Sequence, residues 1–138
     1  MDIEALIPHR DRMRLIGEVL AVDDDGAVTS SVVTGDWPLY NDGAVDALVT
    51  IELVAQTAAL IEGWKRQKSK RGGTKGWLVG IKVADFRLPR IPLSATLITE
   101  VRRDYALEGY AVFAGTVRLG TEVVATIIIQ AFRPEENA

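Results

Sequence analysis

Residues 41–64 read NDGAVDALVTIELVAQTAALIEGW, and this stretch decides the fold because it predicts one long, largely apolar helix. Apolar residues fall on every side of that helix, which is typical of a helix buried inside a protein. Asp46 is a suitable N-cap, and the cations and glycines of residues 64–73, WKRQKSKRGG, are typical of a helix that ends there. Glu52 and Gln56 stand one turn apart inside the apolar run. A buried carboxylate must be paired, hydrogen-bonded or protonated, so Glu52 requires a reason.

The segments on either side of this helix have the pattern of β-strands, rich in Val, Ile, Thr and aromatic residues and separated by polar or glycine-bearing turns. The turn at residues 23–26, Asp-Asp-Asp-Gly, joins two such runs into a first hairpin. The predicted strands cover residues 15–22, 28–34, 77–83, 95–102, 110–119 and 123–132. We therefore predict a single α+β domain over residues 1–138, in which a curved antiparallel sheet of about six strands is wrapped around the central helix.

The composition limits the possible functions. The chain has 138 residues, of which 48% are hydrophobic and 25% charged, and its net charge of −3 argues against a general nucleic-acid binder. The absence of cysteine excludes disulfides, thiolate metal sites and cysteine nucleophiles, and one histidine gives no ligand cluster, so we expect no metal and no cofactor. The apolar runs are too short for a membrane span and no signal-peptide pattern is present, so we expect a cytoplasmic protein.

Three segments of the chain carry recognisable motifs. They are LIPHRDRMRLIGEVL at residues 6–20, IELVAQTAAL at residues 51–60 and GIKVADFRLPRIPLSATL at residues 80–97. In that order they resemble the proline-histidine-arginine start, the central-helix motif and the proline-marked loop of β-hydroxyacyl-acyl-carrier-protein dehydratases of the FabZ type. The resemblance implies the hotdog fold of that family, which agrees with the predicted architecture, and an enzyme that acts on acyl thioesters.

Glu52 takes the position of a catalytic acid in the resembling family. There, a histidine removes the C2 proton of a 3-hydroxyacyl thioester, and a helix carboxylate of the other subunit protonates the departing hydroxyl. Burial on an apolar helix raises the pKa of a carboxyl group, as an acid that works near neutral pH requires. Gln56, on the same helix face, is placed to hydrogen-bond the Glu52 carboxyl and fix its rotamer. The alternative is a structural Glu52, tied to a buried amide or to an arginine of a partner chain.

The catalytic base departs from the family pattern. The family carries its catalytic histidine in a Gly-His-Phe-Pro stretch before the helix. The corresponding residues 37–48, WPLYNDGAVDAL, contain no histidine and are shortened. His9, in the proline-histidine-arginine motif, is the only histidine of the chain, and its unperturbed pKa suits proton abstraction near pH 7. The alternative is a structural His9 that caps a backbone carbonyl. The chain resembles more closely a smaller subgroup, the dehydratases of aryl polyene pathways. That subgroup also keeps the proline-histidine-arginine motif and has a reduced loop before the helix, which favours His9 as a relocated base.

Backbone N–H groups are the expected donors to the thioester oxygen, because the start of a buried helix suits a developing negative charge by position and dipole. The candidates are Asp46 and Ala47, and Ala47 takes the place of a glycine that starts the family's helix. The alternative is an ordinary helix start solvated by water. Tyr40 and Asp42 flank the shortened loop, where they either order a water and close the pocket or belong to an Asn-Asp-Gly turn.

Two basic groups suggest contact with a carrier. Arg87 and Arg90 lie around the proline-marked loop. Five more cations follow the apolar helix: Lys65, Arg66, Lys68, Lys70 and Arg71. Either group could hold the phosphate of a coenzyme A thioester or of the phosphopantetheine arm of an acyl carrier protein, or meet the acidic surface of that carrier. The alternative for both groups is a solvated, charged surface.

The sequence is consistent with two kinds of assembly and with three functions. The helix is apolar over more of its surface than one sheet face can cover, so we predict a homodimer, although related hotdog proteins also pair with a different hotdog chain. The first function is a dehydratase that forms a trans-2-enoyl thioester in fatty-acid or aryl-polyene-like synthesis. The second is a hotdog thioesterase that uses Glu52, and the third is a non-catalytic partner of another hotdog protein.

Overall fold

A computed structural model describes residues 2–7, 13–68 and 78–132. A long helix lies against an antiparallel sheet, and a second, small sheet lies beside the start of that helix. The elements are α1 (Ile3–Leu6), β1 (Glu18–Val22), β2 (Gly26–Val32), β3 (Tyr40–Asn41), β4 (Ala44–Asp46), α2 (Val49–Lys68), β5 (Leu78–Phe86), β6 (Arg90–Pro92), β7 (Thr96–Leu107), β8 (Tyr110–Leu119) and β9 (Glu122–Phe132).

The large sheet has six strands in the order β1-β2-β7-β8-β9-β5, and every pair in it is antiparallel. This confirms the α+β prediction of one long helix on a six-stranded antiparallel sheet. The small sheet, β3-β4-β6, was not predicted. Its strands are only two or three residues long, which is too short to show an alternating pattern in the sequence.

The core lies between α2 and the sheet. Leu53 and Ile61 of the helix and Phe113 and Ile127 of the sheet are each no more than 1% exposed. The helix packs closely on β8, because a Cβ atom built on Gly115 would lie 2.6 Å from both γ-carbons of Val54. Within the described part of the chain, no helix combines the length and the hydrophobicity that a membrane crossing needs.

The β1–β2 turn is held by its own first aspartate, as the predicted hairpin requires. The Asp23 carboxylate accepts hydrogen bonds from the backbone N–H groups of Asp25 (2.8 Å) and Gly26 (2.9 Å). The next two aspartates bind other elements. Asp24 pairs with Lys68 at the end of α2 (3.0 Å), and Asp25 pairs with Arg103 of β7 (2.7 Å). The turn therefore connects the end of the helix to the sheet.

The Asp24–Lys68 ion pair makes stability depend on pH. The hydrogen bond from Lys68 lowers the pKa of Asp24 below its ordinary value of 3.8, and the charges of Lys65 and Arg103 act in the same direction. A carboxyl whose pKa is lowered by folding stabilises the fold above its unfolded pKa, and this contribution is lost as the pH falls through the folded value. We expect Asp24→Asn to lower the melting temperature slightly at pH 7, because the pair is exposed. The difference in melting temperature between Asp24→Asn and the parent protein should disappear as the pH falls below 3.8. A difference that persists there would contradict the ion pair as its cause.

Gly63 marks the place where α1 contacts α2. A Cβ atom on Gly63 would lie 2.1 Å from the carbonyl oxygen of Leu6, so any side chain there displaces α1. We expect Gly63→Ala to lower the free energy of unfolding by about 2 kcal/mol, measured by urea denaturation, although alanine is the better helix former. Gly80→Ala is the matched control, since nothing lies within 4 Å of its Cβ position. Equal stability of the two variants would disprove the contact.

Candidate active site

Glu52 lies in the first turn of α2 and is partly exposed in the single chain. The sequence predicted a fully buried carboxylate. The difference arises because the sheet covers only one side of the helix. The other side carries Leu48, which is 51% exposed, and the partly exposed Ile51 and Ala55. Glu52 therefore belongs to a strip of α2 that stays partly exposed in the described part of the chain.

Gln56 is fully buried and binds three groups at once. Its side-chain nitrogen donates to the backbone oxygen of Met13 (2.5 Å) and to Oε1 of Glu52 (3.1 Å). Its side-chain oxygen accepts from the backbone N–H of Leu15 (2.9 Å). The hydrogen bond to Glu52 is the one that the sequence predicted. The two contacts with residues 13–15 were not foreseen, because they link positions more than forty residues apart.

These contacts fix the orientation of the amide. The Met13 oxygen can only accept and the Leu15 N–H can only donate, so nitrogen and oxygen of Gln56 cannot be exchanged. Oε1 of Glu52 consequently receives an N–H from Gln56. Both N–H groups and the oxygen of the Gln56 amide are engaged within the chain, and this geometry fits the support of Glu52 that the sequence predicted.

Loss of this amide should be costly. We expect Gln56→Leu to lower the free energy of unfolding by about 3 kcal/mol, because the variant leaves a buried N–H, a carbonyl and a carboxylate oxygen without their partner. Gln130→Leu is the control: that amide accepts one bond, from the Tyr110 hydroxyl at 3.1 Å, and its loss should cost about 1 kcal/mol or less. Chemical denaturation measures both, and comparable losses would show that Gln56 is an ordinary polar contact.

His9 lies outside the described residues, but both flanks of its segment are fixed. Ile7 is 2% exposed, and its N–H donates to the Ile3 oxygen (3.0 Å). Met13, on the other side, is held by Gln56. The chain therefore leaves and rejoins the described structure close to α2, and it rejoins beside Glu52.

The start of α2 corrects the prediction for Asp46 and Ala47. The Asp46 carboxylate accepts from the Leu48 N–H (2.9 Å), as an N-cap does. However, the Asp46 N–H donates to the Leu39 oxygen (3.2 Å) and the Ala47 N–H to the Pro89 oxygen (2.9 Å), so neither amide is free to face a carbonyl. The N–H of Val49, a residue only 2% exposed, has no acceptor among the described residues. Sequence reasoning missed this donor, because which amides are engaged depends on the neighbouring loop.

The shortened loop is a small hairpin. Tyr40 opposes Val45, and the two-residue turn between the strands is formed by Asp42 and Gly43, with φ angles of 50° and 82°. Two positive φ angles are the mark of a tight hairpin turn. Asp42 is thus a turn residue, one of the two roles left open, whereas Tyr40 lies in β3 and is packed partly against the core.

The two arginines of the proline-marked loop differ in their surroundings. Both are exposed. Arg87 is anchored by its backbone, whose N–H donates to the Val124 oxygen (2.8 Å). Arg90 uses its guanidinium to bind the backbone oxygens of Asn41 and Ala44. Of the second basic group, Lys65, Arg66 and Lys68 lie in the last turn of α2, where Lys68 is engaged with Asp24, and residues 70 and 71 lie outside the described residues.

A six-stranded antiparallel sheet on one long helix, with Glu52 bound by Gln56 on that helix, defines the class as a hotdog protein. The chain belongs to the ApeP-like family, whose model, described as ApeP dehydratase, matches residues 1–138. This confirms the predicted resemblance to FabZ-type dehydratases and to the aryl-polyene subgroup.

Individual relatives agree with this family. The chain is 29% identical over 103 residues, 71% of each protein, to the 3-hydroxyacyl-[acyl-carrier-protein] dehydratase FabZ of Streptococcus uberis. It is 28% identical over 103 residues to the same enzyme of Streptococcus pyogenes serotype M1, covering 71% of this chain and 72% of the relative.

Solved structures share the fold. The dehydratase heterocomplex ApeI:P of Xenorhabdus doucetiae matches with a TM-score of 0.85 at 21% identity, covering 99% of this chain and 93% of that one. The virulence protein Cj0977 of Campylobacter jejuni matches with a TM-score of 0.72 at 13% identity, covering 96% and 94%. At these identities the matches establish the hotdog fold and nothing about the reaction.

Proposed function

We propose that the protein removes water from a 3-hydroxyacyl thioester, with His9 as the base and Glu52 as the acid. His9 takes a proton from C2, the electrons of that C–H bond form the C2–C3 double bond, and the C3–O bond breaks. The departing hydroxyl takes a proton from Glu52 and leaves as water. The products are a trans-2-enoyl thioester, water, a protonated His9 and an ionised Glu52, and one proton transfer between these groups restores the starting state.

The observation that carries this proposal is the bridge that Gln56 forms between Glu52 and Met13. His9 stands four positions before Met13 in the sequence, and a chain of that length spans at most about 14 Å. This short tether to a residue that is itself linked to the acid supports His9 as the base.

The thioester oxygen needs a donor as negative charge develops on it, and the Val49 N–H is the amide that the described structure leaves without an acceptor. It lies in the first turn of α2, where the helix dipole also favours negative charge. We assign to the Val49 N–H the role that was predicted for the Ala47 N–H. Tyr40, half-buried beside this helix start in the small sheet, forms a wall of the same site.

The thiol carrier is a protein or coenzyme A, and both present a phosphate. Arg87 is exposed at the proline-marked loop, and we assign it to that phosphate. The relatives of Streptococcus uberis and Streptococcus pyogenes are named as acyl-carrier-protein dehydratases, which supports a protein carrier in this case too. A cysteine-free chain suits a cytoplasmic location for this reaction.

A second hotdog chain completes the open side of α2. Val79 and Ile81 of β5 lie opposite the buried Ala131 and Ile129, on the helix-facing side of the sheet, yet they are 49% and 55% exposed. β5 is also an edge strand, and such an edge pairs readily with another chain. A homodimer through this edge is the simplest assembly, and the heterocomplex named for ApeI:P supports a different hotdog chain as the alternative partner.

The direct test is turnover by the purified protein. Incubated with a trans-2-enoyl thioester of acyl carrier protein or of coenzyme A, it should form the 3-hydroxyacyl thioester, which mass spectrometry detects as a gain of one water. Release of free thiol instead would establish a thioesterase. Absence of both activities in the protein alone, with dehydration restored by a co-purified hotdog subunit, would establish the non-catalytic partner.

A further inference from the structure

Arg90 has a contact pattern that its charge alone does not predict. It begins β6 and lies opposite Asp46 of β4 in the small sheet. Among the described residues, its guanidinium forms no ion pair with that aspartate. It donates instead to the backbone oxygen of Asn41 and, at 3.4 Å, to that of Ala44.

The two acceptors flank the turn of the β3–β4 hairpin. Asn41 pairs with Ala44, and Asp42 and Gly43 between them both have positive φ angles. Asp-Gly is a favoured pair for a turn with two positive φ angles, and Arg90 binds the backbone on both sides of it. Both hydrogen bonds come from one terminal nitrogen of the guanidinium, Nη2, whose N–H groups have fixed directions in the guanidinium plane. Arg90 therefore supports the tip of the hairpin.

The hairpin, in turn, fixes the start of α2. The Asp46 N–H binds the Leu39 oxygen, the Ala47 N–H binds the oxygen of Pro89, next to Arg90, and the Leu48 N–H binds the Asp46 carboxylate. Val49 and Glu52 follow within the next turn. The Arg90 contacts and the hydrogen bonds of residues 46–48 thus lie along one stretch of backbone that leads directly into the turn carrying the two groups assigned to the reaction.

We propose that Arg90 is a positioning residue for the dehydration, in contrast to the carrier contact that the sequence suggested. It holds the β3–β4 hairpin and through it sets the direction of the Val49 N–H and of the Glu52 carboxyl. It does not touch the substrate. The effect on the reaction rests on the proposed function, whereas the effect on the helix start does not.

Kinetics separate positioning from binding. We expect Arg90→Ala to lower kcat about tenfold with KM changed less than about twofold, because small displacements of reacting groups cost rate and not affinity. Arg90→Lys should recover only part of kcat, since an ammonium on a flexible stem has no fixed direction toward the two oxygens. Arg87→Ala, by contrast, should raise KM. Arg102→Ala, which removes an exposed cation of β7, should change neither parameter.

Amide hydrogen exchange tests the same proposal without any turnover. In Arg90→Ala, the amides of Asp46, Ala47 and Leu48 should exchange about tenfold faster, because the hairpin that orders them opens more often. The amides of Val117 and Ile127, in the central strands, should exchange as before. If the parent protein fails to dehydrate thioesters, the proposed function is wrong, and this measurement still decides whether Arg90 holds the helix start.

Three results would overturn the proposal. One is a raised KM with an unchanged kcat in Arg90→Ala, which would make Arg90 a substrate contact. Another is unchanged exchange at Asp46, Ala47 and Leu48. The third is a general loss of protection that reaches the central strands in both Arg90→Ala and Arg90→Lys, which would make Arg90 a residue of global stability.

Discussion

Glu52→Gln should lower kcat for dehydration by about a thousandfold while leaving the fold intact. An amide of the same shape has no proton acidic enough to give to a leaving hydroxyl, and general acid catalysis typically contributes factors of about 10² to 10⁴. Gln56 can still donate to the side-chain oxygen of the variant, so the contact at 3.1 Å survives and stability should change little. Steady-state kinetics with a 3-hydroxyacyl thioester measure kcat, and a thermal melt measures the stability of the variant.

Glu62→Gln is the control for this variant. Glu62 lies on the same helix, ten residues further, and is paired with Arg103 at 3.7 Å. Its substitution removes an ion pair and should cost some stability without lowering kcat. If Glu52→Gln and Glu62→Gln lose activity equally, the loss comes from a disturbed helix and not from removal of a catalytic acid. If Glu52→Gln keeps more than about a tenth of the parent kcat, Glu52 is not the acid.

His9→Ala should lower kcat by a similar factor and also change the pH dependence. An imidazole must be neutral to take a proton, so the parent rate should rise with pH through the histidine pKa, which is about 6.5 when unperturbed. Without His9 this acidic limb should disappear. The pH profile of kcat/KM measures the change, and added imidazole should restore part of the rate in the variant.

A tolerated His9→Ala would contradict the base assignment. In a thioesterase that used Glu52 alone, the variant would still release thiol. In a protein whose base comes from another hotdog subunit, the variant would still dehydrate when that subunit is present. The two cases differ in their product, so one set of assays with and without a partner distinguishes them.

The architecture was predictable because it rests on long periodic segments. The apolar run that became α2 and the alternating runs that became β7, β8 and β9 each extend over ten residues or more. Binary patterns of that length determine which side of an element is buried. The strands of the small sheet have no such length, and only contacts with the proline-marked loop give them their place.

The site was predictable only in part. Glu52 and Gln56 could be paired from the sequence because residues four apart on a helix face each other. The link from Gln56 to Met13 and Leu15 could not be predicted, since no local rule relates a helix to a loop so distant in the chain. The prediction for Ala47 failed for the same reason: its N–H is occupied by Pro89, which belongs to another segment.

The hairpin at residues 40–46 explains the missing loop histidine in physical terms. The tight turn at Asp42 and Gly43 and the contacts of Arg90 leave this segment short and fixed. It offers a site wall and a helix start, but no imidazole. His9 therefore remains our proposed base for the dehydration, and a base from a second chain is the alternative.

The most direct test is a crystal structure of the assembled protein, from which the separation between the His9 imidazole and the nearest Glu52 carboxyl, of either subunit, is measured. The elimination requires both groups to reach one C2–C3 unit, so the account predicts about 5 to 7 Å, with the Val49 N–H facing the same slot. An imidazole on the far side of the molecule, or a Glu52 carboxyl surrounded by bulk water after assembly, would contradict it.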